Sequence, residues 1–332
     1  MAYHGIDADP DPTTVRRLVF VPFLPDGACA AVPDGAGLCL PGGEVRPGQH
    51  WLLDAALRIP LLVAGYKPQR VHPFAADGDL VYAWLDGDRY TGPRPHNPVP
   101  LITGDAAGIA ERLSLAGRPD QALAVRDGHR SFASQDEASY YADNRRLLEP
   151  AYLRGTTPQA ASGFGGDAAL WRARRRMLVD GIDRDGTFLD VGCANGLLAE
   201  SVRTWAAERG LRIEPYGVDL APGLVELARS RLPRWADRFW VGNAIDWRPA
   251  DGRRFTFVHL LLDLVPAYRA ADLLRHALAA LVEPGGRLLT SAYQGLGGSQ
   301  PAAAEQVRRL GFPVVGSSAA VDGTASTAWL DA

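Results

Sequence analysis

Residues 187–196, with the sequence TFLDVGCANG, constrain the fold more than any other stretch of the chain. The apolar run over 188–191 predicts a short buried strand, and the small residues over 192–196 predict a tight turn. Apolar side chains at helical spacing over 197–209 predict a helix directly after the turn. This order is typical of the nucleotide site of a doubly wound α/β domain, because small residues let a ligand approach the backbone and the helix N-terminus offers free N–H groups.

Acidic residues end the first two predicted strands of this region. Asp190 ends the first strand, and residues 214–219 predict a second strand that ends at Asp219. A carboxylate about 20–30 residues after the glycine-rich turn is where a ribose-binding group is expected. Many turns between a strand and a helix contain glycine without binding a ligand. The acidic residue at the end of the second strand is therefore the stronger indication of a nucleotide site.

The C-terminal half continues to alternate strands with helices. A helix follows Asp219, and the Pro-Gly-Gly segment at 284–286 ends another helix that runs through Leu281. A further helix is predicted over 302–310. The remaining strands are predicted over 239–242, 255–262, 287–292, 313–317 and 325–330.

This series of motifs resembles the class I S-adenosylmethionine-dependent methyltransferases over roughly residues 135–332. The resemblance implies an α/β fold with a Rossmann-like seven-stranded sheet whose last strand is reversed. Ala194 stands where the family usually has glycine. A nucleotide-free Rossmann-like domain and an NAD dehydrogenase are the alternatives, although the region after Asp219 lacks an obvious catalytic set for hydride transfer.

The resemblance implies S-adenosyl-L-methionine as the cofactor and no metal. It places the ribose hydroxyls on Asp219 and lets Asp246 accept a hydrogen bond from the adenine amino group. The predicted cofactor-binding residues are Asp190, Gly192, Ala194, Gly196, Asp219, Leu220, Asn243, Ala244, Ile245 and Asp246.

Three residues are candidates for catalysis. Methyl transfer needs the acceptor held in line with the methyl group, and a general base only if the acceptor is protonated. Asp263 is best placed, because it follows the C-terminal end of the fourth strand, where ligands of such sheets bind. His259 lies within that strand, so a core histidine is its alternative, and Tyr293 follows the fifth strand.

Two helices are predicted before the first strand of this half, over 138–150 and 168–179, the second capped by Asp167. The resemblance implies that they lid the cofactor together with residues 162–165, for which a surface loop is the alternative. The second helix carries an arginine run that predicts a solvated face rather than a nucleic-acid patch, because no aromatic residues interleave with it. The run comprises Arg172, Arg174, Arg175 and Arg176.

The first half of the chain predicts a smaller α+β domain. The segment over 40–51, LPGGEVRPGQHW, resembles the Nudix hydrolase box, and the resemblance covers roughly residues 15–130. The predicted strands lie over 16–24, 29–32, 37–40, 71–74 and 80–85, the helices over 52–63 and 105–115, and a loop over 97–100.

The departures from the Nudix pattern decide the predicted activity of this half. Apolar residues at 59, 62 and 63 stand where the family has metal-binding glutamates, and Pro60 interrupts the helix. Hard cations need several oxygen ligands, which Glu44 and Asp54 alone do not supply. We therefore expect a Nudix-like fold without hydrolase activity, and an unrelated small domain with a chance Pro-Gly-Gly turn is the alternative.

These patterns assign residues 1–133 to the Nudix-like domain and residues 134–332 to the methyltransferase domain with its lid helices. Polar residues over 116–137 predict a linker, with 122–126 as the last strand of the first domain in an alternative assignment.

Charge, apolar runs and cysteine number indicate which binding partners and which cellular compartment to expect. The net charge of −3 gives no general attraction to nucleic acid, and no apolar run reaches the roughly 18–20 residues of a membrane span. The acidic N-terminus is unlike a signal peptide, and three cysteines, an odd number, are expected to be reduced thiols in a cytoplasmic protein.

The predicted function is methyl transfer from S-adenosylmethionine to a small-molecule acceptor, with the N-terminal domain used for substrate binding or homodimer contact. One alternative is a methyltransferase that acts on a macromolecule, a tRNA or a peptide. Another is a cofactor-binding regulatory protein without catalysis.

Overall fold

The computed structural model describes residues 4–5, 14–35, 37–46, 58–89, 100–294 and 301–332. The chain divides into two compact units, of which the first includes residues up to Leu147 and the second begins at Leu148. The division falls inside a helix, Glu137–Leu153, whereas the sequence placed the domain boundary between residues 133 and 134.

A mixed eight-stranded sheet forms the centre of the first unit. The path β1-β6-β7-β2-β3-β4 is extended by β5, which pairs with β2, and by β8, which pairs with β3. β2 and β7 are parallel, and the other pairs are antiparallel. The strands are β1 His4–Gly5, β2 Arg17–Phe23, β3 Cys29–Asp34, β4 Gly37–Cys39, β5 Gly42–Glu44, β6 Tyr66–Asp77, β7 Leu80–Arg89 and β8 Ile102–Gly104.

Helices pack on this sheet through two separate apolar clusters. Ile59 of the first helix lies in one cluster with Phe20 and Leu85, and Ile109 of the second helix lies in the other with Trp84. Asp105 caps the second helix by accepting a hydrogen bond from the Gly108 amide at 2.7 Å. The helices are α1 Ile59–Ala64, α2 Ala106–Leu115, α3 Pro119–Ala133 and α4 Glu137–Leu153.

The prediction for residues 116–137 is wrong, because α3 occupies most of this segment. Pro119 suits the first turn of a helix, where its missing N–H is not needed. Ala122 and Val125 lie three residues apart and are both buried against the sheet. The short apolar run resembled a strand, but alanine favours the helix once one face can be buried. The predicted helix over 52–63 is described only from Ile59 onward, and residues 51–57 and 97–99 lie outside the described residues.

A seven-stranded sheet forms the second unit, in the order β11-β10-β9-β12-β13-β15-β14. The first five strands in this order, from β11 to β13, are parallel to one another, whereas β15 is antiparallel to both β13 and β14. The strands are β9 Gly186–Val191, β10 Ile213–Asp219, β11 Phe239–Val241, β12 Phe255–Leu261, β13 Val282–Tyr293, β14 Gly316–Ala319 and β15 Ala325–Asp331.

The helices of this unit depart from the sequence prediction mainly at their ends. The helix predicted over 168–179 ends at Arg175 and continues as a 3₁₀ segment, Arg176–Gly181. β13 begins at Val282, so residues 284–286 lie within an irregular stretch of that strand rather than before it. The helices are α5 Ala168–Arg175, α6 Leu197–Ala207, α7 Pro222–Arg231, α8 Ala270–His276 and α9 Ala303–Arg309, with 3₁₀ segments at Ala160–Ser162, Pro233–Arg238, Leu262–Leu264 and Ala267–Arg269 and a π turn at Ala277–Leu281.

The central parallel strands are buried on both faces, with Phe188, Leu189 and Phe257 completely inaccessible. Their carboxyl ends lie at one edge of the sheet, which brings together the turns after β9, β10 and β12. None of the helices in the described part of the chain has the length and apolarity to cross a membrane.

Candidate functional site

The turn between β9 and α6 adopts a left-handed backbone at three positions. Gly192 has a φ of +82° and Gly196 a φ of +74°. Ala194, with a φ of +46°, is the sole non-glycine residue with positive φ in the part of the chain that the structure describes. Such a conformation is strained for a residue with a Cβ and persists when the surroundings hold it.

Asp219 holds this turn in place from the end of β10. Its Oδ2 accepts a hydrogen bond from the Ala194 amide at 2.8 Å, and its Oδ1 accepts one from the Ala221 amide at 2.9 Å. Burial raises the pKa of Asp219, while these two amide bonds oppose the shift and the negative charges of Asp190 and Glu149 add to it. The carboxylate is half-buried, and each oxygen keeps a second lone pair for a ligand.

Asp190 and His259 meet in the interior of the sheet. Asp190 Oδ1 lies 2.9 Å from His259 Nδ1, and His259 Nε2 lies 3.1 Å from Ser291 Oγ. All three residues are buried, with at most 6% of their surface accessible. This is the arrangement of a core histidine with both ring nitrogens engaged, and it directs Asp190 toward His259.

Asp263 and Tyr293 lie at the same edge of the sheet. Asp263 is exposed in the 3₁₀ segment after β12, yet the protein around it raises its pKa by desolvation. Tyr293, half-buried at the end of β13, has a pKa raised by burial and lowered by the neighbouring Arg175 and Ser291. The Tyr293 hydroxyl itself is buried.

Sequence reasoning missed Tyr152 and Arg175 as parts of this site. Tyr152, near the end of α4, packs in a cluster with Ala194 and Leu224. Burial, together with the charges of Asp263 and Asp219, raises its pKa to about 12. Tyr152 therefore packs against the two turns that Asp219 joins, at Ala194 and Ala221, although its helix gave no signal beyond an ordinary apolar pattern.

Asn195 was also missed, and it ties the preceding loop to the turn. Its Nδ2 donates to the Pro158 carbonyl at 2.8 Å, and its Oδ1 accepts from the Leu197 amide at 3.1 Å. The side chain is completely buried. The loop that contains residues 162–165, predicted to lid the cofactor, is therefore anchored at Pro158.

The segment predicted to flank adenine follows β11. Asn243 Oδ1 accepts from the Ile245 amide at 3.3 Å, which closes a tight turn. Asn243, Ala244 and Ile245 are half-buried and Asp246 is exposed, so their side chains remain accessible to a ligand. Leu220, after β10, is half-buried as well.

The cysteines form no disulfide. Cys193, inside the glycine-rich turn, is buried, and desolvation raises its pKa well above the ordinary value. Burial likewise raises the pKa of Cys29 to about 12. A reactive thiolate is therefore disfavoured at both positions.

The segment that resembles a Nudix box carries few acidic groups. Ile59 is buried and packs beside Gly43, and the Glu44 carbonyl accepts from Arg58 at 2.6 Å. Asp54 lies outside the described residues. Within the described ranges, no group of three or more His, Cys, Asp or Glu side chains is placed to hold a metal ion.

Comparisons with known proteins find distant structural similarity. No model of a known protein family matches the chain, and no curated protein matches it. The structure of the glycopeptide N-methyltransferase MtfA is 16% identical, with a TM-score of 0.38, and the similarity covers 53% of this chain and 98% of that chain.

Two further solved structures are comparably similar. The PH0226 protein from Pyrococcus horikoshii OT3 is 14% identical, with a TM-score of 0.39 and coverage of 50% of this chain and 92% of that chain. A TehB-like SAM-dependent methyltransferase from Corynebacterium glutamicum is 18% identical, with a TM-score of 0.36 and coverage of 58% and 98%. Similarity at this level does not establish an activity, which has to be argued from the site.

Proposed function

We propose that the second unit binds S-adenosyl-L-methionine and transfers its methyl group to a small-molecule acceptor. The observation that supports this most is Asp219, whose carboxylate joins the left-handed turn at Ala194 to the turn at Ala221. The two turns follow adjacent parallel strands, and ligands of open α/β sheets bind beyond the carboxyl ends of such strands.

The residues at this edge suit the cofactor. The lone pairs of Asp219 that face away from the amides can accept from the two ribose hydroxyls. The small residues Gly192 and Ala194 let the methionine part approach the backbone closely. Asn243, Ala244 and Ile245 offer a half-buried surface for a flat base, and Asp246 offers an acceptor for its amino group.

The acceptor side of the site is formed by Asp263, Tyr293 and Tyr152. When bound, the cofactor supplies an electrophilic methyl group on a sulfonium. Asp263 orients the acceptor and, where the acceptor is protonated, takes its proton, a role that a raised pKa favours. Tyr152 and Tyr293 have raised pKa values, so they remain neutral and serve as walls and hydrogen-bond donors.

For the first unit we propose a Nudix-like fold without hydrolase activity, used to bind an acceptor or to contact a second copy. A cavity of about 350 Å³ supports the binding role. Arg17 and Glu44 provide charged groups in its wall, and Leu18, Val32 and Leu80 provide apolar surface. A space of this size suits a small molecule better than a folded macromolecule.

Calorimetry followed by an acceptor screen tests the proposed function. The purified chain is titrated with S-adenosylmethionine and then incubated with methyl-labelled cofactor and pools of amines, phenols, carboxylic acids, tRNA and peptides. Binding with transfer to a small molecule is expected. Transfer to tRNA or peptide alone would favour the macromolecular alternative, and binding without any product would favour a regulatory protein.

A further inference from the structure

The arginine run at the end of α5 and the start of the following 3₁₀ segment divides into outward and inward side chains. Arg172 forms a bidentate pair with Glu208 at 2.7 and 2.8 Å, and Arg176 approaches the same carboxylate at 3.5 Å. Arg174 lies 3.3 Å from Asp322. These three arginines lie near acidic side chains on the outside of the second unit, on the side that the sequence predicts to be solvated.

Arg175 points instead into the second unit and rests on aromatic rings. Its guanidinium carbon lies 3.4 Å from the centroid of the Tyr293 ring and 5.1 Å from those of Phe164 and Trp171. Cation–π contacts of this kind stabilise a guanidinium and fix its plane. The side chain is therefore held in one place rather than free to reach solvent.

The charge of Arg175 has no ionic partner in the described part of the chain. Among the described residues, no carboxylate lies within 4.0 Å of the Arg175 guanidinium. Its Nη1 donates a long hydrogen bond to the Arg174 carbonyl at 3.5 Å. Desolvation lowers the pKa of Arg175. A desolvated cation without a counter-ion is costly, and the cost is offset when an anion binds.

Arg175 lies on the ring of Tyr293, at the edge of the sheet where Asp219 and Asp263 follow their strands. Its charge lowers the pKa of Tyr152, which Asp263 and Asp219 raise, so all three charged groups act on one phenol. Arg175 likewise lowers the pKa of Tyr293, and Asp263 raises it. The site thus contains two carboxylates and one unneutralised guanidinium, which gives it separate positions for a cationic and an anionic ligand group.

We propose that Arg175 binds a carboxylate of a ligand held in this site. The guanidinium can donate two parallel hydrogen bonds to a carboxylate, an interaction that lysine does not reproduce. The inference rests on the proposed function for its location, and two sources can supply the carboxylate. One is the amino-acid part of the cofactor, and the other is the methyl acceptor.

The first arm of the test uses S-adenosylhomocysteine and 5′-deoxy-5′-(3-aminopropylthio)adenosine, which lacks only the carboxylate. If the cofactor supplies the anion, the unmodified protein binds S-adenosylhomocysteine about 10- to 100-fold more tightly than this analogue. Arg175→Gln removes most of that difference, and Arg175→Lys restores part of it. Arg174→Gln, whose partner is the exposed Asp322, serves as the control and keeps the full difference.

The second arm probes the acceptor side in the protein saturated with S-adenosylhomocysteine. Saturation-transfer NMR compares benzoate with benzamide and indole-3-acetate with its amide. If the acceptor supplies the anion, the carboxylates bind in preference to the amides, and Arg175→Gln abolishes the preference while affinity for S-adenosylhomocysteine is unchanged.

Stability of the ligand-free protein separates a binding role from a structural one. Because Gln removes an uncompensated charge, the melting temperature of Arg175→Gln should equal or exceed that of the unmodified protein. A lower melting temperature with unchanged ligand discrimination in both arms overturns the proposal. Absence of S-adenosylhomocysteine binding by the unmodified protein would instead refute the proposed function, while the melting temperature still reports on the uncompensated charge.

Discussion

Asp219 and Ala194 are joined by a hydrogen bond of 2.8 Å from the alanine amide to the carboxylate Oδ2. This bond holds Ala194 at a φ that side chains with a Cβ rarely adopt. The carboxylate that is proposed to bind ribose therefore also shapes the turn beneath the methionine part. Loss of the Asp219 carboxylate should therefore weaken cofactor binding and distort the turn at Ala194 together.

Gly192→Ala should lower both stability and cofactor affinity. The residue has a φ of +82°, and an added Cβ would lie 2.7 Å from Leu264 Cδ2, so strain of about 1–3 kcal/mol combines with displacement of Leu264. Gly252→Ala is a matched control, because Gly252 also has positive φ but no atom within 4 Å of the added Cβ. Urea unfolding and calorimetry measure the two effects. Equal losses in both variants would show that the contact with Leu264 is unimportant.

His259→Ala should act through stability rather than through the chemical step. It leaves the buried Asp190 carboxylate without its 2.9 Å partner, and such losses cost about 2–5 kcal/mol. Chemical unfolding measures the loss, with His276→Ala as the control, since His276 contacts only the Trp247 carbonyl among the hydrogen bonds of the described residues. A fall in kcat without a fall in stability would identify His259 as a catalytic base.

Asp263→Asn should separate activity from stability. Desolvation by the surrounding protein raises the pKa of Asp263 in the folded state. The favourable contribution of Asp263 to stability is therefore complete below the ordinary pKa and is lost as the pH rises through the raised value. The ligand-free variant should therefore melt at a higher temperature than the unmodified protein at pH 7, and the difference should shrink toward pH 4. If Asp263 is a general base, kcat falls roughly 10²–10⁴-fold while cofactor affinity is nearly unchanged.

Asp251→Asn is the control for that experiment, because the pKa of Asp251 is lowered whereas that of Asp263 is raised. The Arg253 side chain lowers the pKa of Asp251, so its contribution is present above the ordinary pKa and is lost on acidification. Asp251→Asn should not raise the melting temperature at pH 7. An Asp263→Asn variant that is less stable than the unmodified protein at pH 7 would instead indicate that the carboxylate caps local structure.

The first unit should cleave no pyrophosphate bond. Incubation of nucleoside diphosphate derivatives with the chain and magnesium or manganese should release neither phosphate nor nucleotide. The reason is that the buried Ile59 stands where the proposed Nudix-like fold would need a metal-binding glutamate. Metal-dependent cleavage that disappears in Glu44→Gln would show that the box is functional after all.

Local sequence patterns were sufficient for the turn and the strand ends of the second unit. Gly192 and Gly196 adopt the left-handed backbone of the turn, and Asp219 ends β10. These features depend on only a few neighbouring residues, so their spacing along the chain was enough to predict them. The Ala-rich segment that begins α3 was ambiguous, because short apolar runs suit a strand or a helix and only the tertiary contact decides.

Tertiary contacts account for what the sequence did not predict. Ser291 reaches His259 only because β12 and β13 are adjacent parallel strands. Arg175 could not be distinguished from Arg172 or Arg174 by residue type or spacing, and its contact with Tyr293 depends on how α5 packs on the sheet. Tyr152 likewise joins the site from a helix that precedes the glycine-rich turn in the chain.

Calorimetric titration of S-adenosylmethionine into the unmodified protein, Asp219→Asn and Asp251→Asn tests whether the Asp219 carboxylate binds the cofactor. We expect one site per chain in the unmodified protein. The affinity should be about 10- to 100-fold weaker in Asp219→Asn, because hydrogen bonds to a charged group are lost, and unchanged in Asp251→Asn. If Asp219 binds the cofactor as a carboxylate, its raised pKa means that the affinity of the unmodified protein should also fall as the pH is lowered through that value. Equal affinities in the unmodified protein and Asp219→Asn would show that the Asp219 carboxylate does not bind the cofactor, and no binding by the unmodified protein would refute the proposed function.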